Sequence, residues 1–129
     1  MKEYFGHEKL RVYKEALKFI EWVEEKTKEI PKTIAAKKHL DEASNSIILN
    51  IAEGNGRYTN KDKCRFFDIS KGSILECAGC IDVLKAKGFD LDDKSGKIIL
   101  KNVFSMLIGL IKSTSENRVY EDSAEYNSE

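Results

Sequence analysis

The fold class of this 129-residue chain is decided by the stretch LDEASNSIILNIAEG, residues 40–54. Apolar residues recur in it every three or four positions, which is the spacing of one face of an α-helix. The members of this apolar stripe are Leu40, Ala43, Ile47 and Ile51. The spacing predicts a helix over residues 33–53, and Gly54 follows at the position where a left-handed glycine often ends a helix.

Three other segments share this helical spacing of apolar residues. They are residues 8–30, 60–87 and 97–115. Pro31 ends the first, because a residue before proline is pushed out of helical geometry, and Thr59 with Asp62 forms a capping pair before the third. Four amphipathic helices joined by short loops predict an all-α, antiparallel up-down four-helix bundle. We expect a single domain over residues 1–115.

The charge of the chain is unevenly distributed although its total is zero. Lys and Arg number 22, as do Asp and Glu, and the chain is 41% hydrophobic and 34% charged, which is typical of a soluble globular protein. Residues 116–129 carry five acidic side chains against Arg118, a net −4, which leaves +4 on the other 115 residues. We expect this acidic tail to be flexible, and the neutral total excludes nucleic-acid binding by bulk charge alone.

The location of the protein is predicted from features that its sequence lacks. No apolar run approaches the ~18 residues of a membrane span, and the first eight residues contain no apolar stretch typical of a secretory signal. Three cysteines cannot all pair within one chain. We therefore expect a cytoplasmic protein that does not contact a membrane.

The spacing of two cysteines is compatible with redox or metal chemistry. Cys77 and Cys80 form a Cys-x-x-Cys motif, but no strand precedes them and Cys77 falls on the apolar stripe of a helix. The pattern favours buried core thiols, with redox or metal use as the alternative. A zinc site with Cys64 lacks a fourth ligand at suitable spacing, and the acidic loop at residues 90–93 lacks the glutamate of a calcium loop. We predict no metal, no cofactor and no catalytic residue.

Polar residues one turn apart lie on two otherwise apolar helices. Asn50 with Glu53, and Ser73 with Glu76, are predicted to form a hydrogen-bonded network that fixes the register of the two helices. A di-iron site would need Glu-x-x-His partners, which the sequence lacks. Gly72 costs ~1 kcal/mol inside a helix relative to alanine, which indicates that a neighbouring backbone passes close to it.

A basic cluster surrounds the predicted second connection. Its members are Arg57, Lys61, Lys63, Arg65 and Lys71. They exceed the nearby acidic residues Asp62 and Asp68 by three charges. Together with Tyr58 they predict contacts to phosphates and to a stacked base. The alternative is an ordinary solvated helix face.

Three motifs resemble those of a known family. They are residues 10–16 (LRVYKEA), the stretch Ser46-Ile47 with residues 50–54 (NIAEG) and Gly56-Arg57, and Gly72-Ser73 with Glu76. Over about residues 9–115, the chain resembles the four-helix bundle proteins encoded in intervening sequences of bacterial 23S ribosomal RNA genes. That group is related to the accessory proteins of diversity-generating retroelements.

The resemblance implies an up-down bundle that assembles into a ring-shaped homopentamer without catalytic activity. The retroelement relatives bind reverse transcriptase and nucleic acid through a basic surface. The chain departs from its relatives at Asp41 and Glu42, where they usually carry two arginines. This reversal weakens the expectation of nucleic-acid binding through that helix. Lys37, Lys38 and the basic cluster from Arg57 to Lys71 are expected to compensate only in part.

The leading hypothesis is a non-enzymatic, oligomeric scaffold that binds structured RNA or a nucleic-acid-handling protein, with no small-molecule substrate. Phosphate contacts are assigned to Arg57, Lys61, Lys63 and Arg65. The residues expected to hold the architecture are Asn50, Glu53, Gly54, Gly72, Ser73 and Glu76. The alternative is a protein–protein adaptor without nucleic-acid binding, and a third class is an enzyme or metalloprotein that uses the cysteines.

Overall fold

The computed structural model describes residues 2–128, and the side chains of residues 2–116. A short 3-10 helix, Gly6–Lys9, precedes four α-helices. These are α1 (Arg11–Thr27), α2 (Ala35–Asn55), α3 (Asn60–Ala86) and α4 (Asp93–Ser128). The described residues contain no strand, so the all-α prediction is confirmed.

Some helix ends differ from the prediction by a few residues, whereas the predicted cap of α3 is observed. Helix α1 begins at Arg11 because Leu10 is extended, and α2 continues through Gly54 to Asn55. Thr59 caps α3, its hydroxyl accepting from the Asp62 backbone N–H at 3.1 Å. Helix α4 begins at Asp93 and continues past the predicted end at residue 115 to Ser128. The predicted flexibility of residues 116–129 stays a prediction.

A single hydrophobic core joins all four helices. Its fully buried members include Phe19 from α1, Leu40, Ile47 and Ile51 from α2, Phe67, Ile81 and Leu84 from α3, and Val103 and Leu107 from α4. Most of these residues belong to the apolar stripes read from the sequence. Burial of each large apolar side chain contributes about 1.5–3 kcal/mol to folding.

Two glycines have roles different from those predicted. Gly54 is buried inside α2, and a Cβ there would lie 2.8 Å from Phe67 Cε1 and 2.9 Å from Phe66 Cβ. It therefore permits close packing of α2 on α3 and is not a left-handed cap; among the described residues only Gly88 has a positive φ. Gly72 is exposed, and a Cβ there would meet nothing within 4 Å, so no backbone of the described chain passes close to it.

The start of α4 is fixed on α1 by a contact that the sequence analysis did not predict. Trp22 stacks on Phe19, and its Nε1–H donates to Ser95 Oγ at 2.7 Å. A Cβ on Gly96 would lie 2.5 Å from the Trp22 ring, so this glycine lets α4 approach the indole.

Lys37 is buried and is not the surface cation that the sequence analysis took it to be. Its ammonium donates to Thr27 Oγ1 and to Asp41 Oδ1, both at 2.7 Å. Thr27 in turn donates to the Val23 carbonyl at 2.6 Å. Asp41 therefore neutralises a buried charge, which is expensive to leave unpaired.

Helix α4 is long and apolar enough over Asp93–Glu116 to span a membrane, by length and composition alone. The helix has no uninterrupted apolar run of that length, and the expectation that the protein does not contact a membrane stays a prediction. Leu100, Val103 and Leu107 account for its inner side. Of its other apolar side chains, Ile98 and Ile108 are exposed. Ile99, Phe104, Met106, Leu110 and Ile111 are partly buried and pack against the core.

We expect Asp41→Asn to lower the free energy of unfolding by about 1–2 kcal/mol. The amide can still accept the hydrogen bond from Lys37, but the buried ammonium loses its counter-charge. Urea denaturation followed by circular dichroism measures the change. The matched control is Glu42→Gln, an exposed carboxylate one residue away, for which we expect a change within about 0.5 kcal/mol. Equal effects of the two substitutions would contradict the role assigned to Asp41.

Candidate nucleic-acid interface

The basic cluster lies where α2 runs into α3. The last turn of α2 closes with the Gly56 backbone N–H donating to the carbonyls of Ala52 and Glu53, at 3.3 and 3.2 Å. The Arg57 backbone N–H then donates to the Gly54 carbonyl at 3.2 Å. The connection is thus short and held by its own hydrogen bonds, which fixes where the basic side chains begin.

Two of the predicted arginines lie against one aromatic ring. The guanidinium carbons of Arg57 and Arg65 lie 4.4 and 4.6 Å from the centroid of Phe66. These distances suit cation–π attraction, which favours a fixed position for each guanidinium. Phe66 was not predicted as a site residue, because its spacing is that of the other apolar residues of α3.

Each of these arginines also pairs with a carboxylate on its own helix or turn. Arg57 Nη2 lies 2.7 Å from Glu53 Oε1, and Arg65 Nε lies 3.4 Å from Asp62 Oδ1. Glu53 is therefore a partner of Arg57 and does not hydrogen-bond with Asn50 in the described structure. Because these pairs are largely solvent-exposed, each stabilises the fold by only about 0–1 kcal/mol and can be exchanged for a phosphate contact.

The two predicted lysines have different surroundings. Lys63 is half-buried and its ammonium donates to the Asn55 carbonyl at 3.0 Å, where it caps the C-terminal end of α2. Lys61 is exposed and forms no hydrogen bond or ion pair with the residues whose side chains are described. Of these two lysines, Lys61 is the more available to a ligand, and Lys63 holds the turn.

A polar network between α2 and α3 contains two of the predicted architectural residues. Ser73 Oγ donates to Ser46 Oγ at 2.8 Å, and Asn50 Nδ2 lies 2.8 Å from the Ser46 carbonyl and 3.1 Å from Ser46 Oγ. Ser46 connects the two, and its position one turn before Asn50 could have indicated this. Ser70 Oγ adds a bond to the Ile47 carbonyl at 2.5 Å. Glu76 is exposed and takes no part in the network.

The three cysteines are buried free thiols. Burial raises the pKa of the Cys77 thiol, with smaller contributions from Cys80 and Glu76, and burial likewise raises the pKa of Cys80. A raised pKa keeps a thiol protonated, whereas a redox motif needs a lowered one. Among the described residues, no group of three or more His, Cys, Asp or Glu side chains is arranged to hold a metal ion.

A solved structure has the same fold. It is a protein of unknown function from the S23 ribosomal protein family of Bacteroides thetaiotaomicron, with 18% sequence identity and a TM-score of 0.71. The alignment covers 78% of this chain and 95% of that one. A search of curated proteins finds no match.

The sequence itself matches a family description. The model of the 23S rRNA-intervening sequence proteins aligns with residues 8–109, which include all three motifs noted above. The alignment takes in α1, α2, α3 and the core-forming part of α4. Because the alignment with the family model extends over most of the length of this chain, the chain belongs to the 23S rRNA-intervening sequence protein family.

Proposed function

We propose that this protein is a non-enzymatic scaffold that binds structured RNA at the α2–α3 connection. The observation that carries the proposal is the Phe66 ring with Arg57 and Arg65 against it and the exposed Lys61 nearby. Two guanidinium groups held in place can meet phosphate oxygens with little loss of side-chain entropy. The description of the family, which names an intervening sequence of 23S rRNA, makes RNA the natural ligand to test.

The zero net charge of the chain favours RNA binding through a few local contacts over binding through total charge. Lys37 is buried and paired with Asp41, so it adds no cation to the α2 surface. The net charge of zero gives no long-range attraction to a polyanion. The electrostatic part of the affinity must therefore come from a few phosphate contacts at the connection, and this part should decrease with salt.

We also propose that the helices form an antiparallel up-down bundle that assembles into a homopentameric ring. Contacts of Trp22 with Ser95, and of Cys64 with Ser115 at 3.4 Å between Sγ and Oγ, support the antiparallel order. An exposed stripe on α3 supports assembly through that helix. Its members are Ile69, Gly72, Glu76, Gly79 and Val83. Their alternating spacing of three and four residues is that of a helix–helix seam, and the two glycines would let a partner helix approach closely.

A second candidate function is a protein–protein adaptor that binds no nucleic acid. A groove of about 310 Å³ between α3 and α4 favours it. The groove is lined by Leu75, Phe104 and Leu100 and flanked by Lys97 and Lys101. Leu75 is 61% exposed, and such apolar surface is typical of a site that binds another protein.

We expect the triple variant Arg57→Gln, Lys61→Gln, Arg65→Gln to lose most of its affinity for a ribosomal RNA hairpin. Three phosphate contacts contribute about 2–3 units to the slope of log K against log salt, so this slope should decrease by about that amount. Fluorescence anisotropy over a salt series measures both quantities. Lys63 is left in place because its hydrogen bond to Asn55 holds the turn.

The matched control removes three exposed lysines from the other ends of the helices: Lys28→Gln, Lys87→Gln and Lys94→Gln. It changes the net charge by the same amount, and we expect a nearly unchanged salt slope. Equal losses in the two variants would indicate non-specific charge effects and contradict the assigned interface. Absence of RNA binding by the unaltered protein at low salt would favour the adaptor.

We expect Gly72→Lys to reduce the number of chains per particle, because a long charged side chain would block the α3 seam. Gly109→Lys is the matched control, since Gly109 is also an exposed helical glycine with nothing within 4 Å of an added Cβ. Size-exclusion chromatography with light scattering gives the particle mass. Five chains for the unaltered protein and for Gly109→Lys is the expected result; a monomeric unaltered protein would overturn the ring.

A further inference from the structure

The N-terminal segment lies against the end of α2, beside the basic cluster. A Cβ on Gly6 would lie 3.2 Å from the Asn55 amide nitrogen. Tyr4 precedes Gly6 by two residues and Tyr58 follows Asn55 by three. Five residues of extended chain span at most about 18 Å, and the contact of Gly6 with Asn55 brings their Cα atoms within roughly 9 Å. The Cα atoms of Tyr4 and Tyr58 are therefore at most roughly 27 Å apart.

Hydrogen bonds hold this segment in a defined conformation. The Glu8 carboxylate accepts from the backbone N–H groups of Tyr4 and of Phe5, the latter at 2.8 Å. These bonds lower the pKa of Glu8, which keeps the carboxylate ionised and the turn closed near neutral pH. The His7 ring packs edge-on against Tyr13 of α1, with the ring centroids 4.8 Å apart. The segment is thus anchored on both α1 and α2.

Three aromatic side chains remain exposed around this end. Tyr58 is 98% exposed, Tyr4 74% and Phe5 67%. Aromatic rings usually bury a large area in a protein core or an interface. Exposed rings beside a cluster of cations form the combination that binds single-stranded nucleic acid, because bases stack on the rings while the cations meet the phosphates.

We propose that Tyr4, Phe5 and Tyr58 form a stacking platform for unpaired RNA bases. The proposal rests on RNA binding at the α2–α3 connection and specifies its ligand as a loop or single-stranded segment of the RNA, not as a paired stem. In a paired stem the faces of the bases are stacked on one another, so the rings have nothing to stack on.

Positively charged side chains near the platform would contact the phosphates of an RNA strand bound there. Lys2 lies over the Tyr4 ring at 5.5 Å, and Lys61 and Arg57 lie on the Tyr58 side. The acidic residues of this end are engaged within the protein: Glu3 with Lys14, Glu8 with the backbone of its own turn, Glu53 with Arg57 and Asp62 with Arg65. Their charges are therefore largely compensated.

The test compares two RNAs, a single-stranded oligonucleotide and a fully paired duplex of the same length, with two variants of the full chain. Tyr4→Leu, Phe5→Leu, Tyr58→Leu keeps apolar side chains but removes stacking. Tyr4→Phe, Tyr58→Phe keeps stacking and removes only the hydroxyls. We expect the leucine variant to lose roughly tenfold or more in affinity for the single strand, with an unchanged salt slope, and the phenylalanine variant to bind like the unaltered protein.

The outcomes separate this inference from the function on which it rests. Equal affinity of the leucine variant and the unaltered protein for the single strand would overturn the platform. If the Arg57, Lys61, Arg65 variant still loses binding, RNA binding at the connection would stand. Tighter binding of the duplex than of the single strand would also overturn the platform. If the unaltered protein binds neither RNA, both proposals fail.

Discussion

The packing of α2 on α3 at Gly54 is the constraint from which the candidate interface follows. A side chain at this position would collide with the Phe67 ring and with Phe66, so only glycine allows the two helices to approach as they do. The close approach leaves room for only a short turn, which places Arg57 at the end of one helix opposite Phe66 on the next. One missing methyl group thus determines both a core contact and the position of the cations.

The acidic residue Asp41 on α2 is explained by its ion pair with the buried Lys37. A lysine in the core needs a counter-charge, and Asp41 supplies it one turn away. An arginine at position 41 would place a second cation beside the buried ammonium of Lys37, which is costly in a low-dielectric environment. A buried lysine at position 37 and an acidic residue at position 41 are therefore physically linked, and the pair leaves no free cation at this point of α2.

The sequence was sufficient to predict the helices and most of the core, because apolar periodicity reports directly on which side of a helix is buried. It was insufficient where a side chain has two physically reasonable environments. Lys37 reads as a surface cation, yet Thr27 and Asp41 satisfy it inside the core. The spacing of Phe66 predicts a core residue, yet two guanidinium groups lie against its ring. Such cation–π partners, one from a turn and one from a helix, cannot be inferred from spacing. The contact of Trp22 with Gly96 is likewise long-range and leaves no local pattern.

The ion pairs at the α2–α3 connection would reduce the free energy that phosphate contacts contribute to RNA binding. In the proposed complex, Arg57 and Arg65 would each exchange a carboxylate for a phosphate, so the Coulomb gain at each would be a difference between two similar contacts. Stacking on Tyr58 would have no such competitor, because this ring is almost fully exposed. Tyr4 and Phe5 each have one partner within the protein, since Lys2 lies over the Tyr4 ring and Phe5 stacks on His7. Charge would then set the location and the salt dependence of binding, whereas unpaired bases would supply much of the free energy. A protein of zero net charge can discriminate among RNAs in this way, since a ligand without accessible bases gains little from charge alone.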